Sequence, residues 1–150
     1  MALPFDAGED FAFDKPALHP CPHLGPGLRC SIHDTLRDRG FPGCARYDCL
    51  GAGQRLLAEV FPGADWRRDP SLRLPLAEGF SVLRRIHAAL ELISAAECLT
   101  LPPAQTRKLS ALRALFHPET DWTPETLRRF DIAGAERALR ALLRALRDHV

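Results

Sequence analysis

Lysine is almost missing from this chain of 150 residues: Lys15 and Lys108 stand among 20 basic side chains, and 19 acidic ones balance them to a formal charge of +1. Such a balance leaves no positive field to hold a nucleic-acid backbone or an anionic membrane surface, so neither is an expected partner. The arginine bias reads as genome composition before phosphate recognition and carries no functional weight. Also missing is any apolar run of membrane-spanning length. The start, Met-Ala-Leu-Pro-Phe-Asp, lacks the basic segment, apolar stretch and small-residue cleavage site of an export signal, which makes the cytoplasm the expected location. In that reducing compartment, clustered cysteines bind metals or do redox work more often than they staple folds. Alternating apolar and polar runs are absent as well, so no strand pattern competes with a helical one.

What is present is enough apolar content, 46%, to bury one core, and one domain over residues 1–150 is expected. Within it, a looped cysteine-bearing part (1–68) precedes a helical part (69–150). Pro4, Pro16, Pro20, Pro22 and Pro26 with Gly8, Gly25 and Gly27 exclude regular helix from most of the first thirty or so residues. Phe5, Phe11 and Phe13 are expected to pin this arm by burial. Ser31 reads as the N-cap of a short helix through Arg39, closed by Gly40 and Pro42. A second helix is expected from about Leu50 to Phe61, with Leu50, Leu56, Leu57 and Val60 inward and a stop at Pro62-Gly63.

From about Leu72, the residues Leu76, Phe80, Leu83, Ile86, His87, Leu90 and Ile93 follow three- and four-residue steps, predicting the longest helix, ended before Pro102-Pro103. Leu109, Leu112, Leu115 and Phe116 mark the next, ending at His117-Pro118. Thr123-Pro124-Glu125 opens a short helix, and Asp131 caps the last, with Ile132, Ala135, Leu139, Leu142, Leu143 and Leu146 inward and Arg137, Arg140, Arg144 and Arg147 in water. The expected fold class is all-α.

Chemistry concentrates in four cysteines. Cys21, Cys30, Cys44 and Cys49 are separated by eight, thirteen and four residues, each in or beside a turn-rich stretch, with His23 and His33 close by. Metal ligands must converge within roughly 2.0 to 2.3 Å of one ion, and Gly and Pro turns let short side chains from separate segments do so. Four thiolates, or three and a histidine, would hold zinc in a tetrahedral structural site, the first choice, or iron as a single ion or iron–sulfur cluster, the second. The intervals are not the two-residue spacing of zinc ribbons. Two other readings therefore stay open: a redox switch in which Cys44 and Cys49, or Cys21 and Cys30, form reversible disulfides, and a helical protein-interaction module with an unidentified partner and merely buried cysteines. Cys98, beside Ala95, Ala96 and Leu99, is expected to be core.

The run Cys21-Pro22-His23-Leu24, Arg29-Cys30-Ser31-Ile32-His33, Gly43-Cys44 and Tyr47-Asp48-Cys49 resembles the later half of a zinc- or iron-chelating cysteine-cluster family, over about thirty residues. Ala2 to Phe5, Asp10-Phe11-Ala12, Lys15-Pro16-Ala17, Gly40 to Gln54 and Asp65-Trp66-Arg67 resemble, more extensively, the N-terminal domain of bacterial pentapeptide-repeat proteins. The resemblance implies a metal-binding domain. Members of both groups carry a further cysteine-rich segment, ending in a Cys-Cys pair, ahead of the position where this sequence begins, and the pentapeptide repeats do not occur here.

Catalysis is not expected. Cys30 and His33 could pair as nucleophile and base, but no acid partner or oxyanion arrangement accompanies them. Gly51-Ala52-Gly53-Gln54 lacks the Gly-Lys-Ser/Thr ending of a phosphate loop. His87 reads as a satisfied core histidine, His117 and His149 as helix-end residues, and Trp66 and Trp122 as lids on the helical core.

Overall fold

The computed structural model describes residues 3–147 and shows an all-α protein with no strand or sheet among them. Six helices follow in order: α1 (Pro42–Arg46), α2 (Ala52–Arg55), α3 (Arg73–Glu97), α4 (Pro103–Phe116), α5 (Pro124–Arg129) and α6 (Ile132–Ala145). Among the described residues no helix is long and apolar enough to cross a membrane. The described chain groups into two compact units, 3–49 with 65–77 and 50–64 with 78–147. The boundary thus departs from the one expected at residue 69: segment 50–64 groups with the helices, and the opening residues of α3 group with the looped part.

In the first unit, aromatic burial replaces regular structure. Phe5 and Lys15 form an isolated antiparallel bridge, with Phe5 N–H donating to Lys15 O at 3.0 Å and Lys15 N–H to Phe5 O at 2.7 Å. The loop between them folds over, so that Phe5 stacks on Phe11 at 4.3 Å between ring centres and lies 5.7 Å from Phe13. Phe41, only 3% exposed, receives Phe5 at 6.3 Å and Phe13 at 5.1 Å, both edge-on. The arm is pinned by its phenylalanines as the sequence implies.

The helix expected from Ser31 to Arg39 does not form. A single 3-10 turn, His33–Thr35, occupies its middle, begun by Ile32 without a side-chain cap. Its end is nevertheless closed as a helix would be. Gly40 takes φ +83°, its N–H meets Arg37 O at 3.1 Å, and Phe41 N–H meets Leu36 O at 2.7 Å, the paired bonds of a Schellman turn. That turn delivers Phe41 into the aromatic cluster and starts α1, with Pro42 in its first turn.

In the second unit, α2 runs into a π-helical turn, Leu56–Val60. The wider turn brings Ala52, Leu56 and Val60, each four residues apart, onto one buried line. Leu57, expected inside, is rotated out and half exposed at 50%. The stop falls as expected, with Phe61 as C-cap and Gly63 at φ +77°.

Helix α3 buries Leu83, Ile86, Ala89, Ile93 and Ala96 along one face. A Cβ at Gly79 would meet Leu56 Cδ1 at 2.9 Å and Leu127 Cδ2 at 3.6 Å, so the glycine, unfavourable in mid-helix by up to about 1 kcal/mol, admits both leucines. Helix α4 packs along α6. It buries Leu109 and Phe116, while Leu115, expected in the stripe, faces outward at 45% exposure. Thr123 and Thr126 form a reciprocal capping box for α5, and Asp131 Oδ1 accepts Gly134 N–H at 2.9 Å to cap α6. The α6 stripe is buried as expected except at Leu143, which is half-buried, and Trp122, 6% exposed, lies 5.0 Å from Phe130. Arg85 grips Glu136 with two bonds of 2.8 Å, joining α3 to α6.

Two outcomes are expected. Phe41→Ala should cost roughly 3–5 kcal/mol in urea unfolding, the usual loss for an emptied aromatic site. The Arg85 hydrogen bonds, helped by the charges of Arg85 and Arg140, hold the Glu136 carboxyl below the usual range against the opposing effect of burial. A depressed carboxyl stabilises the fold above its unfolded pKa, about 4.3, and loses that contribution as pH falls through the folded value. Glu136→Gln should therefore flatten the acid side of a melting-temperature profile, and an unchanged slope would contradict the assignment.

Candidate functional site

All four clustered cysteines lie in the first unit. Cys21 and Cys30 sit on the two sides of a tight loop. Leu24 N–H donates to Cys21 O at 2.9 Å, Leu24 and Cys30 form an isolated antiparallel bridge, Gly25 N–H donates to Arg29 O at 2.8 Å, and Ser31 N–H to His23 O at 2.8 Å. Proline on both sides of Cys21 keeps the entering strand out of helix, and Gly25 and Gly27 allow the reversal.

Cys44 comes from α1, its N–H bonded to Phe41 O at 3.1 Å. The aromatic cluster ties this turn to the cysteine loop, because His23 packs edge-on against Phe41 at 5.4 Å and tilted against Phe13 at 5.9 Å. A Cβ on Gly43 would lie 2.5 Å from the Phe11 ring, so only glycine lets α1 come this close to the arm.

The consequence appears in the Cys44 thiol. Burial raises its pKa first, and the negative charges of Cys21 and Cys30 raise it further, which places both of those thiols within electrostatic reach of Cys44. Cys44 keeps solvent access as a residue, while Cys21, Cys30 and Cys49 are half-buried. Among the described residues, no three His, Cys, Asp or Glu side chains form a group that could hold a metal ion.

His33 is placed differently from His23. Its ring meets Asp34 at 3.2 Å, with the two side chains 77% and 100% exposed. Cys98, expected in the core, is exposed, its thiol 3.5 Å from Ser94 O. Ile93 and Ala96 take the buried face at this end of α3, and Cys98 lies off that line.

Two features escaped the sequence. Lys15 is 6% exposed, its ammonium donating to His19 O at 2.9 Å and Pro16 O at 3.2 Å above the Phe5 ring. Burial lowers its pKa, and the Cys21 charge works in the opposite direction. No local pattern announces a buried lysine, since its burial follows from the long-range Phe5 bridge.

The second feature is in the helical unit. A surface pocket of about 410 Å³ is lined by Leu50, His87, Glu91, Arg113 and His117 among others. Leu50, at φ +53°, turns its carbonyl to His87 Nδ1 at 2.6 Å, which fixes the proton on that nitrogen, while Nε2 is buried without a partner. The expected satisfied histidine is thus satisfied on one side. Arg113 and Arg55 at the rim are held by Glu97 and Glu59.

No protein-family model matches the chain, and no solved structure matches it. The chain is similar to the uncharacterized protein YybG of Bacillus subtilis (strain 168), at 40% identity over 90 residues, covering 60% of this chain and 32% of that protein. The match therefore spans about a third of that relative's length.

A labelling experiment follows from the thiol environments. A raised pKa leaves Cys44 largely protonated and slow towards alkylating agents at neutral pH, despite its exposure. Peptide mapping after a brief iodoacetamide pulse of metal-free protein should show Cys98 modified ahead of Cys44, and the reverse order would contradict it.

Proposed function

We infer that the looped unit is a non-catalytic metal-binding module in which Cys21, Cys30 and Cys44 supply thiolates to one ion. The fourth ligand comes from Cys49 or His23; exposed His33 is the weaker candidate of the six residues. The observation that carries this is the packing of His23 on Phe13 and Phe41, which ties the Cys21–Cys30 loop to the turn that presents Cys44, whose thiol feels the charges of both. A divalent ion replaces three thiol protons, turning like-charge repulsion into shared coordination.

Zinc is the first choice, because thiolate and imidazole suit its tetrahedral preference and a structural role asks for no open position. Iron, alone or as a cluster, is second. Membership of the cysteine-cluster family and likeness to pentapeptide-repeat N-terminal domains belong to the same proposal, as does the cytoplasmic location.

A competing reading draws on the same proximity. Cys44 could form a disulfide with Cys21 or Cys30, with two thiols giving two electrons and two protons to a peroxide and releasing water. The pairing would differ from Cys44–Cys49 or Cys21–Cys30, because Cys44 is the thiol that both others reach.

Elemental analysis of protein purified without chelator tests these readings. About one zinc or iron ion per chain is expected, lost in Cys44→Ser and kept in Cys98→Ser. Chelation should destabilise the looped unit by something on the order of 10 kcal/mol where zinc is structural. Metal-free wild type whose thiol count falls under mild peroxide would replace the metal reading with the redox one.

A further inference from the structure

The pocket of about 410 Å³ in the helical unit has no part in metal binding, and its size is that of a small-molecule site. All its lining residues belong to the second unit, so what it binds is independent of the metal reading. Leu50 O can only accept a hydrogen bond, and its contact with Nδ1 at 2.6 Å leaves Nε2 of the neutral His87 ring as an acceptor. That acceptor is buried without a partner, a rare state for a polar atom in a folded protein. Leu50 offers its carbonyl from φ +53°, a strained conformation for leucine.

Charge around the pocket points the same way. Arg55 is paired with Glu59, and Arg113 holds Glu97 through two hydrogen bonds. Glu91 lies one turn beyond His87 on the same side of α3, is exposed, and has no ion-pair partner among the described residues. Two arginines therefore face three carboxylates, Glu59, Glu97 and Glu91, and one negative charge is left in surplus when the histidines are neutral. The C-terminal end of α4, with its negative dipole, closes the wall at His117.

We propose that this pocket binds a small primary amine with an apolar body, the ammonium donating to the Glu91 carboxylate and to His87 Nε2 while Leu50 and Leu90 cover the body. An ammonium carries three donors and no acceptor, which matches a wall whose unpaired groups accept. A carboxylate or phosphate would meet arginines already neutralised and a surplus of negative charge. Because Nε2 is screened from water, the ammonium meets Glu91 first and reaches Nε2 as lining side chains shift, a rotamer change usual on binding.

The test titrates the full chain, with its histidines labelled with nitrogen-15, with benzylamine, benzyl alcohol and benzoate, which share a ring and differ in head group. Benzylamine should bind with a Kd of about 1 to 10 mM, the range open to so small a ligand, and shift the His87 Nε2 resonance. Benzyl alcohol should bind about 5- to 10-fold more weakly, and benzoate more weakly still. Glu91→Gln, a change at an exposed position, should weaken benzylamine by about 5-fold and leave benzyl alcohol within about 2-fold. His87→Asn keeps a donor for Leu50 O but removes the second acceptor, and it should weaken both ligands.

Benzoate or benzyl alcohol binding as tightly as benzylamine would overturn the proposal. So would an unmoved Nε2 resonance, a benzylamine affinity unchanged in either variant, or no saturation by benzylamine below about 50 mM. Should His87→Asn not fold, Glu91→Gln and the wild-type resonance decide.

Discussion

The looped unit depends on the burial of one ring. Phe41 is enclosed by Phe5, Phe13 and His23, and each of these arrives from a segment that has no regular structure of its own. Isolated bridges and single turns cannot offset the conformational entropy of ordering nearly fifty residues. A shared aromatic centre can, because each ring removes a large apolar area from water and constrains its whole segment. The cysteines take their positions from this centre: Cys21 and Cys30 through His23, and Cys44 through the turn that follows Phe41. Geometry at the thiols is therefore a by-product of packing beside them.

How much of this was legible in the sequence depends on the range of the interactions. Helices α3 to α6 were readable because caps, prolines and apolar steps act within a few residues; Thr123, Asp131 and Pro103 each mark a boundary without help from distant groups. Where the sequence misled, a non-local or subtler effect intervened. Ser31 looks like a cap, but the Leu24–Cys30 bridge and the bond from Ser31 N–H to His23 O engage the backbone just where a helix would begin. Leu57 was lost to a π turn that periodicity at 3.6 residues does not anticipate. Cys98 has core-like neighbours, but α3 ends at Glu97 and the thiol lies just past its buried face.

The candidate site divides in the same way. That Cys21, Cys30 and Cys44 belong together could be argued from turn residues and clustering, since those are what multi-segment ligation needs. The burial of Lys15 could not be read in the same way. Its burial is set by pairing with Phe5, ten positions away, and in a chain this poor in lysine a single one stands out only once the fold encloses it.

The two units are interleaved along the polypeptide: one takes 3–49 and 65–77, the other 50–64 and 78–147. Any unbroken stretch of gene that encodes one of them whole must also encode a piece of the other. Neither could have been acquired, lost or shuffled as a clean cassette, and a fusion joint placed anywhere between residues 50 and 77 would sever at least one of them. Inheritance has to carry the thiol loop and the helices as a single package, whatever each does by itself.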